Sequence, residues 1–176
     1  WTTGMNLFTL EGIKSLSGAN VYRLVEDPQD PEAMYLATRE NGLFYTYNGG
    51  KIWQQAGAPL SSGFIYGLAV HPQNKCIIYV TNGRQVFKTD DCSRHWTEIY
   101  RESRSDVIIS SLDFNYFMPF TVYLAETNGD LLQSNDGGQS WGVLNRFGTR
   151  LVTVSPSHLQ SGLLYVITRD QGLFRS

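Results

Sequence analysis

The stretch SNDGGQSW, residues 134–141, sets a hydroxyl, a carboxylate, two glycines and a tryptophan into eight positions. A carboxylate in such a loop could ligate calcium or act as a catalytic acid. Calcium takes about six to eight oxygen ligands, and Asp136 is the only acid in the stretch. The stretch also has counterparts, TYNGGKIW at 46–53 and TDDCSRHW at 89–96. Three loops of one kind cannot all be one active site. The same residue types have a structural use. An Asp or Asn oxygen can accept backbone N–H groups two or three residues on and fix a turn. Glycine permits a left-handed backbone, the hydroxyl can tie the strand end to the loop, and tryptophan buries a large ring with one polar handle. On this reading the structural residues are Thr46, Asn48, Gly50 and Trp53, then Thr89, Asp91 and Trp96, then Ser134, Asp136, Gly138 and Trp141. Ser93 replaces the glycine of the second copy.

Cys76 and Cys92 offer a second kind of chemistry. A hairpin turning at Asn82-Gly83 brings position 76 opposite about position 89, with Cys92 a short loop away. A disulfide is then geometrically reasonable and would contribute about 3 kcal/mol by closing its loop. Two unlinked buried thiols are the alternative. With His95 as the neighbouring ligand type, the pair falls short of the four donors of a zinc site, so no metal and no cofactor is expected.

These loops need elements to hold them. Four segments align: YLATRENGLFYT from Tyr35, YVTNGRQVFKT from Tyr79, YLAETNGDLLQS from Tyr123 and YVITRDQGLFRS from Tyr165. The leading tyrosines stand 44, 44 and 42 residues apart. Each segment holds two apolar runs about a turn, at Asn41-Gly42, Asn82-Gly83, Asn128-Gly129 and Asp170-Gln171-Gly172. Asn-Gly favours two-residue hairpins, whose central residues need positive φ. An earlier strand precedes each hairpin and another follows each box tryptophan. Four strands in about 42–45 residues predict an all-β fold, a β-propeller of four-stranded antiparallel blades. The blades fall at about 20–57, 64–102, 107–147 and 149–176, and residues 1–9 supply an outer strand of a preceding or closing blade. Both a segment of a larger propeller and a small closed ring fit this arrangement. The 17 glycines, with ten Tyr and nine Phe, agree with strands and tight turns.

A formal net charge of −2 without basic runs argues against nucleic acid as a partner. No apolar run is long enough to span a membrane as a helix, so direct membrane insertion is not expected.

The shared pattern Ser/Thr-x-Asp/Asn-x-Gly/Ser-x-x-Trp resembles the Asp-box, or BNR repeat. With phrases such as VEDPQDPEAMYLAT and GLFYTYNGGKIW, the chain resembles Asp-box propellers of the sortilin N-terminal and photosystem II assembly-factor kind, including bacterial secreted and cell-surface members. The resemblance implies a non-catalytic propeller that binds a protein or peptide partner, or assembles with another chain or the rest of a larger propeller. It implies an extracytoplasmic, oxidising location, in keeping with an even cysteine count. Asp-boxes also occur in sialidases and xyloglucan-cleaving glycoside hydrolases, which keeps an enzyme as the alternative. An inverting glycosidase needs carboxylates about 6.5–9.5 Å apart, and Asp113 and Glu126 are the candidate pair. Arg23, Tyr66, Asp113 and Arg150 lie on or beside the innermost strands and are the candidates for channel-facing binding groups, since loops of successive blades converge there.

Overall fold

Four antiparallel sheets follow one another along the chain in the computed structural model, which describes Leu16 and residues 18–176. The outer strand expected from residues 1–9 lies outside the described residues. The first sheet comprises β1 (Val21–Glu26), β2 (Met34–Thr38), β3 (Leu43–Thr46) and β4 (Gln54–Gln55). The second comprises β5 (Gly67–Val70), β6 (Ile78–Thr81), β7 (Gln85–Thr89) and β8 (Thr97–Arg101). The third comprises β9 (Ile109–Phe114), β10 (Val122–Glu126), β11 (Asp130–Ser134) and β12 (Gly142–Arg146). The fourth has three strands within the described residues, β13 (Leu151–Pro156), β14 (Leu164–Thr168) and β15 (Gly172–Arg175). Each strand pairs with its sequence neighbour, so every sheet is a simple meander. The architecture is an all-β propeller of about four blades. Among the described residues no helix is long and apolar enough to cross a membrane.

The cores lie between consecutive sheets. Tyr35, Leu43, Ile65, Leu68 and Val80 fill the first interface. Tyr79, Val86, Leu112, Phe114 and Leu124 fill the second, and Tyr123, Leu131, Leu151, Val154 and Val166 the third. Every residue of β6 and β10 is buried, because a blade's middle strands are covered on both faces. Each large side chain so buried stabilises the fold by about 1.5–3 kcal/mol. The contacts of β1 with β5, β5 with β9 and β9 with β13 line the first strands of the blades along one axis.

The hairpins differ from the expected two-residue Asn-Gly turns. Ala37 pairs with Leu43, Thr81 with Val86 and Ala125 with Leu131, which leaves longer loops. Asn41, Asn82 and Asn128 do not have positive φ; Gly42, Gly83 and Gly129 supply it alone, at 71°, 88° and 98°. A hydroxyl spans the loop in three of the four hairpins, and Glu126 stands at that place in the remaining one. Thr38, Thr81 and Thr168 each donate to the carbonyl four residues on, at 2.7, 2.8 and 3.0 Å. Asn82 instead accepts the Arg84 and Gln85 N–H groups through its side chain. The register bears out the repeat: Met34, Ile78 and Val122 pair with the corner hydroxyl residues Thr46, Thr89 and Ser134, so Tyr35, Tyr79 and Tyr123 occupy one equivalent position, and only Thr81 is drawn one residue closer to its tyrosine.

A methyl group on Gly129 would strike the Phe147 carbonyl oxygen, and the backbone there is left-handed. Gly129→Ala is expected to lower unfolding free energy by at least about 2 kcal/mol in denaturant titration. Gly148, with open space around it and no positive φ, should tolerate Gly148→Ala within about 0.5 kcal/mol. Equal effects at the two sites would contradict this account of the hairpin.

Candidate functional site

Three corners join the third and fourth strands of the complete sheets. In the third, the Ser134 hydroxyl donates to Asp136 Oδ1 at 2.7 Å and accepts the Gly138 N–H at 2.8 Å. Asp136 Oδ1 also accepts the Gln139 and Ser140 N–H groups, both at 2.9 Å. In the second, Thr89 donates to Asp91 at 2.9 Å, and Asp91 accepts Arg94 and His95 N–H. In the first, Thr46 donates to Asn48 at 2.8 Å, accepts Gly50 N–H, and Asn48 accepts Ile52 N–H. Hydrogen bonds from Ser140 hold the Asp136 carboxyl well below the usual range, and those from His95 do the same for Asp91. These carboxylates are thus occupied within their own turns. Trp53, Trp96 and Trp141 are half-buried rather than fully buried. Trp96 packs on the first interface core and Trp141 on the second, with Trp141 Nε1 donating to the Gly138 carbonyl at 3.1 Å. Among the described residues no three His, Cys, Asp or Glu side chains converge to hold a metal ion. Cys76 and Cys92 form a disulfide that ties the second corner to the loop before β6.

Strand alternation puts the corners at one end of the sheets. The β2–β3, β6–β7, β10–β11 and β14–β15 hairpins share the other end with the loops between sheets. The four channel candidates divide between two clefts. Tyr66 and Arg150 line a cleft of about 340 Å³ on the hairpin side, with Tyr22, Phe64, Thr127 and Arg169. Its rings pack in series in tilted pairs, Tyr22 to Phe64 at 5.2 Å and Phe64 to Tyr66 at 4.2 Å. The Arg39 guanidinium lies 5.4 Å from the Tyr22 ring and 5.7 Å from Phe64. Among the described residues Arg39, Arg150 and Arg169 make no salt bridge. Arg23 and Asp113 line the second cleft, of about 320 Å³, with Glu26, Tyr116 and His158. Burial pushes the Asp113 carboxyl up to about 6, against the pull of the Phe114 N–H that it accepts at 2.8 Å.

The candidate acid pair is not brought together. Asp113 lies opposite Tyr123, and Glu126 opposite Ile109. Four residues of strand separate them, about 13 Å. Glu126 belongs instead to a cluster of buried carboxylates around the exposed Arg104 that pattern reading missed. Arg104 Nη2 donates to Glu102 and Glu126, both at 2.7 Å, and Arg104 Nη1 donates to Asp130 at 3.1 Å. The Tyr100 hydroxyl donates to Glu126 at 3.1 Å. The available signal was an acid at the end of VYLAE, where the other blades have Thr38, Thr81 and Thr168. Burial, with Glu102 alongside, pushes Glu126 up to about 7; the Arg104 hydrogen bond pushes Glu102 down to about 2.

The chain is similar in sequence to a photosystem II assembly protein. That relative, Ycf48 of Thermosynechococcus vestitus, is 29% identical over 134 residues, which are 71% of this chain and 38% of Ycf48. The chain therefore spans well under half the relative's length. No protein-family profile matches the chain. Among solved structures, the GH74 enzyme of Niastella koreensis superposes with a TM-score of 0.70 at 16% identity, over 89% of this chain and 22% of that one. The GH74 xyloglucanase of Xanthomonas campestris gives 0.66 at 13%, over 90% and 29%. Ycf48 bound to D1 peptide gives 0.64 at 12%, over 89% and 55%. At these identities the structural likeness shows the propeller fold alone.

The half-buried position of Trp141 limits its contribution. Trp141→Ala is expected to cost about 2 kcal/mol in thermal or chemical unfolding, below the roughly 3–5 of a fully buried ring; an unchanged melting temperature would contradict its packing role. The acid cluster has a pH signature. Glu126 keeps its proton in the fold to about pH 7 but loses it near its ordinary 4.5 when unfolded. Between those values the folded chain binds more protons, so this group's contribution falls as pH rises, by up to about 1.4 kcal/mol per pH unit. Glu102 acts oppositely, its contribution being lost as pH falls from 4.5 toward about 2. From pH 4.5 to 7, Glu126→Gln should therefore lose less stability than wild type; parallel curves would contradict the proton assignment.

Proposed function

We propose that the chain is a non-catalytic binding propeller that engages a protein or peptide partner at its hairpin face. The observation that carries this reading is the cleft lined by Arg150 and Arg169 together with the rings of Tyr22, Phe64 and Tyr66, with Arg39 over two of those rings and all three arginines free of salt bridges among the described residues. Guanidinium groups present planar sets of donors to carboxylates and backbone carbonyls, and aromatic rings supply contact area at low entropic cost. Arg23 and Asp113, in the second cleft toward the other end of the sheets, are a separate candidate contact and not part of this face. The sequence relative named as an assembly protein, and its solved counterpart with a bound peptide, support the same class of activity. In this reading the corners act as Asp-box scaffolding, no cofactor takes part, and nucleic acid is not a partner. The disulfide supports an extracytoplasmic location.

Glycoside hydrolysis is the second reading, because the GH74 enzymes share the propeller fold. The separation of Asp113 from Glu126, and the engagement of Glu126 with Arg104, weigh against that pair as its acid and base.

The two readings part in one set of assays. A peptide array including the D1 peptide should retain labelled wild-type chain, with binding roughly tenfold weaker for Arg150→Ala combined with Arg169→Ala. Xyloglucan should remain uncleaved. Failure of every peptide to bind, or xyloglucan hydrolysis abolished by Asp113→Asn, would overturn the proposal.

A further inference from the structure

The three corners share one hydrogen-bond pattern but not one backbone chemistry. Gly49 and Gly50 of the first corner have φ of 67° and 82°, and Gly137 and Gly138 of the third have 68° and 89°. The second corner bends the same way at Cys92 and Ser93, with φ of 59° and 67°. They are the only non-glycine residues with positive φ among the described residues. An L side chain resists this conformation, because its Cβ crowds the following carbonyl oxygen. Neither residue has the short amide or carboxylate that makes the conformation easier for Asn and Asp. The turn is held from outside. Cys92 is bonded through sulfur to Cys76, and its N–H donates to the Cys76 carbonyl at 3.4 Å. The Ser93 hydroxyl meets the Tyr47 hydroxyl of the first sheet at 3.1 Å, and Ser93 N–H donates to Thr89 Oγ1 at 3.1 Å.

We infer that the Cys76–Cys92 disulfide takes the place of the glycine pair as the lock on the second corner, so that this corner alone of the three opens under thiol reductants. Both cysteines are half-buried rather than sealed in the core, which leaves the sulfurs within reach of a small dithiol. The dithiol gives up two electrons and two protons. The Cys76–Cys92 S–S bond breaks, two cysteine thiols form, and the dithiol closes to its own disulfide. Cys92 and Ser93 are then released toward negative φ. The Asp91 bonds to Arg94 and His95 N–H and the Ser93 contact with Tyr47 loosen together, since each depends on that bend. The redox state of one bond thereby governs one corner and its link to the first sheet, while the third corner, built on glycine, stays closed.

Hydrogen exchange on the full chain tests this, with residues 91–96 as the reporter and 136–141 as the internal control. Dithiothreitol should raise amide exchange in the reporter by roughly tenfold or more and leave the control unchanged, as expected of a local opening. The triple variant Cys76→Ser, Cys92→Gly, Ser93→Gly should exchange as slowly as the oxidised wild type and ignore the reductant. Full protection after verified reduction of the wild type would overturn the inference. Loss of protection at both corners together would overturn it too, because the bond would then hold the whole fold. So would a triple variant that exchanges as fast as the reduced chain or fails to fold, because two glycines would not then suffice.

Discussion

Each sheet carries apolar side chains on both faces, and where two sheets meet each covers the other. Every residue of β6 and β10 is buried, and the largest buried rings, Tyr35, Tyr79 and Phe114, lie at the joins between sheets. A lone meander of this composition could not cover its own faces in water. Stacking covers the faces that two sheets share, provided that successive sheets present the same shape to one another, while Leu24 of the first sheet and Ile167 and Leu173 of the fourth stay exposed. Radial repetition follows from that requirement, and so does the recurrence of one corner geometry at the join of the third and fourth strands.

The same requirement separates the two ends of the sheets. At the corners, the hydroxyl, the Asp or Asn oxygen and the following N–H groups satisfy each other, so these polar atoms are used up in holding shape. Asp91 and Asp136 sit far below the ordinary carboxylate range because several hydrogen bonds already converge on each. At the hairpin end, loops from successive sheets meet without a repeated plan. There the chain sets Arg39 over the rings of Tyr22 and Phe64, with Arg150 and Arg169 lining the same cleft as those rings. Rigid stacking behind such a cleft preorganises its side chains, which limits the entropy lost on binding.

Local chemistry made much of this legible from residues alone. Strand alternation, glycine positions and the Thr/Ser-x-Asp/Asn spacing are short-range signals, and they carry the four sheets and the three corners. The Cys76–Cys92 pairing was readable too, since a hairpin register places those positions near each other. What escaped depends on contacts that spacing does not encode. The Thr38 and Thr81 hydroxyls span two of the Asn-Gly hairpins and Glu126 stands at that place in the third, and none of the three forms the tight turn that its sequence favours. The second blade is one residue shorter on the hairpin side of Tyr79, so Thr81 follows it by two positions where Thr38 and Thr168 follow their tyrosines by three. Glu126 looked like a free acid because its partner Arg104 lies in a loop between sheets, 22 residues away along the chain. Arg23 and Asp113 share one cleft, and Tyr66 and Arg150 another, because position along a strand decides the end to which a side chain belongs.

The central claim is that scaffold and binding surface occupy opposite ends of the stacked sheets. Chemical-shift mapping of the isotope-labelled chain with a retained peptide tests it most directly. The account predicts perturbations at Arg39, Phe64, Tyr66, Arg150 and Arg169, and none at 46–53, 89–96 and 134–141. Perturbations that cluster on those three corners, with the hairpin cleft silent, would contradict it.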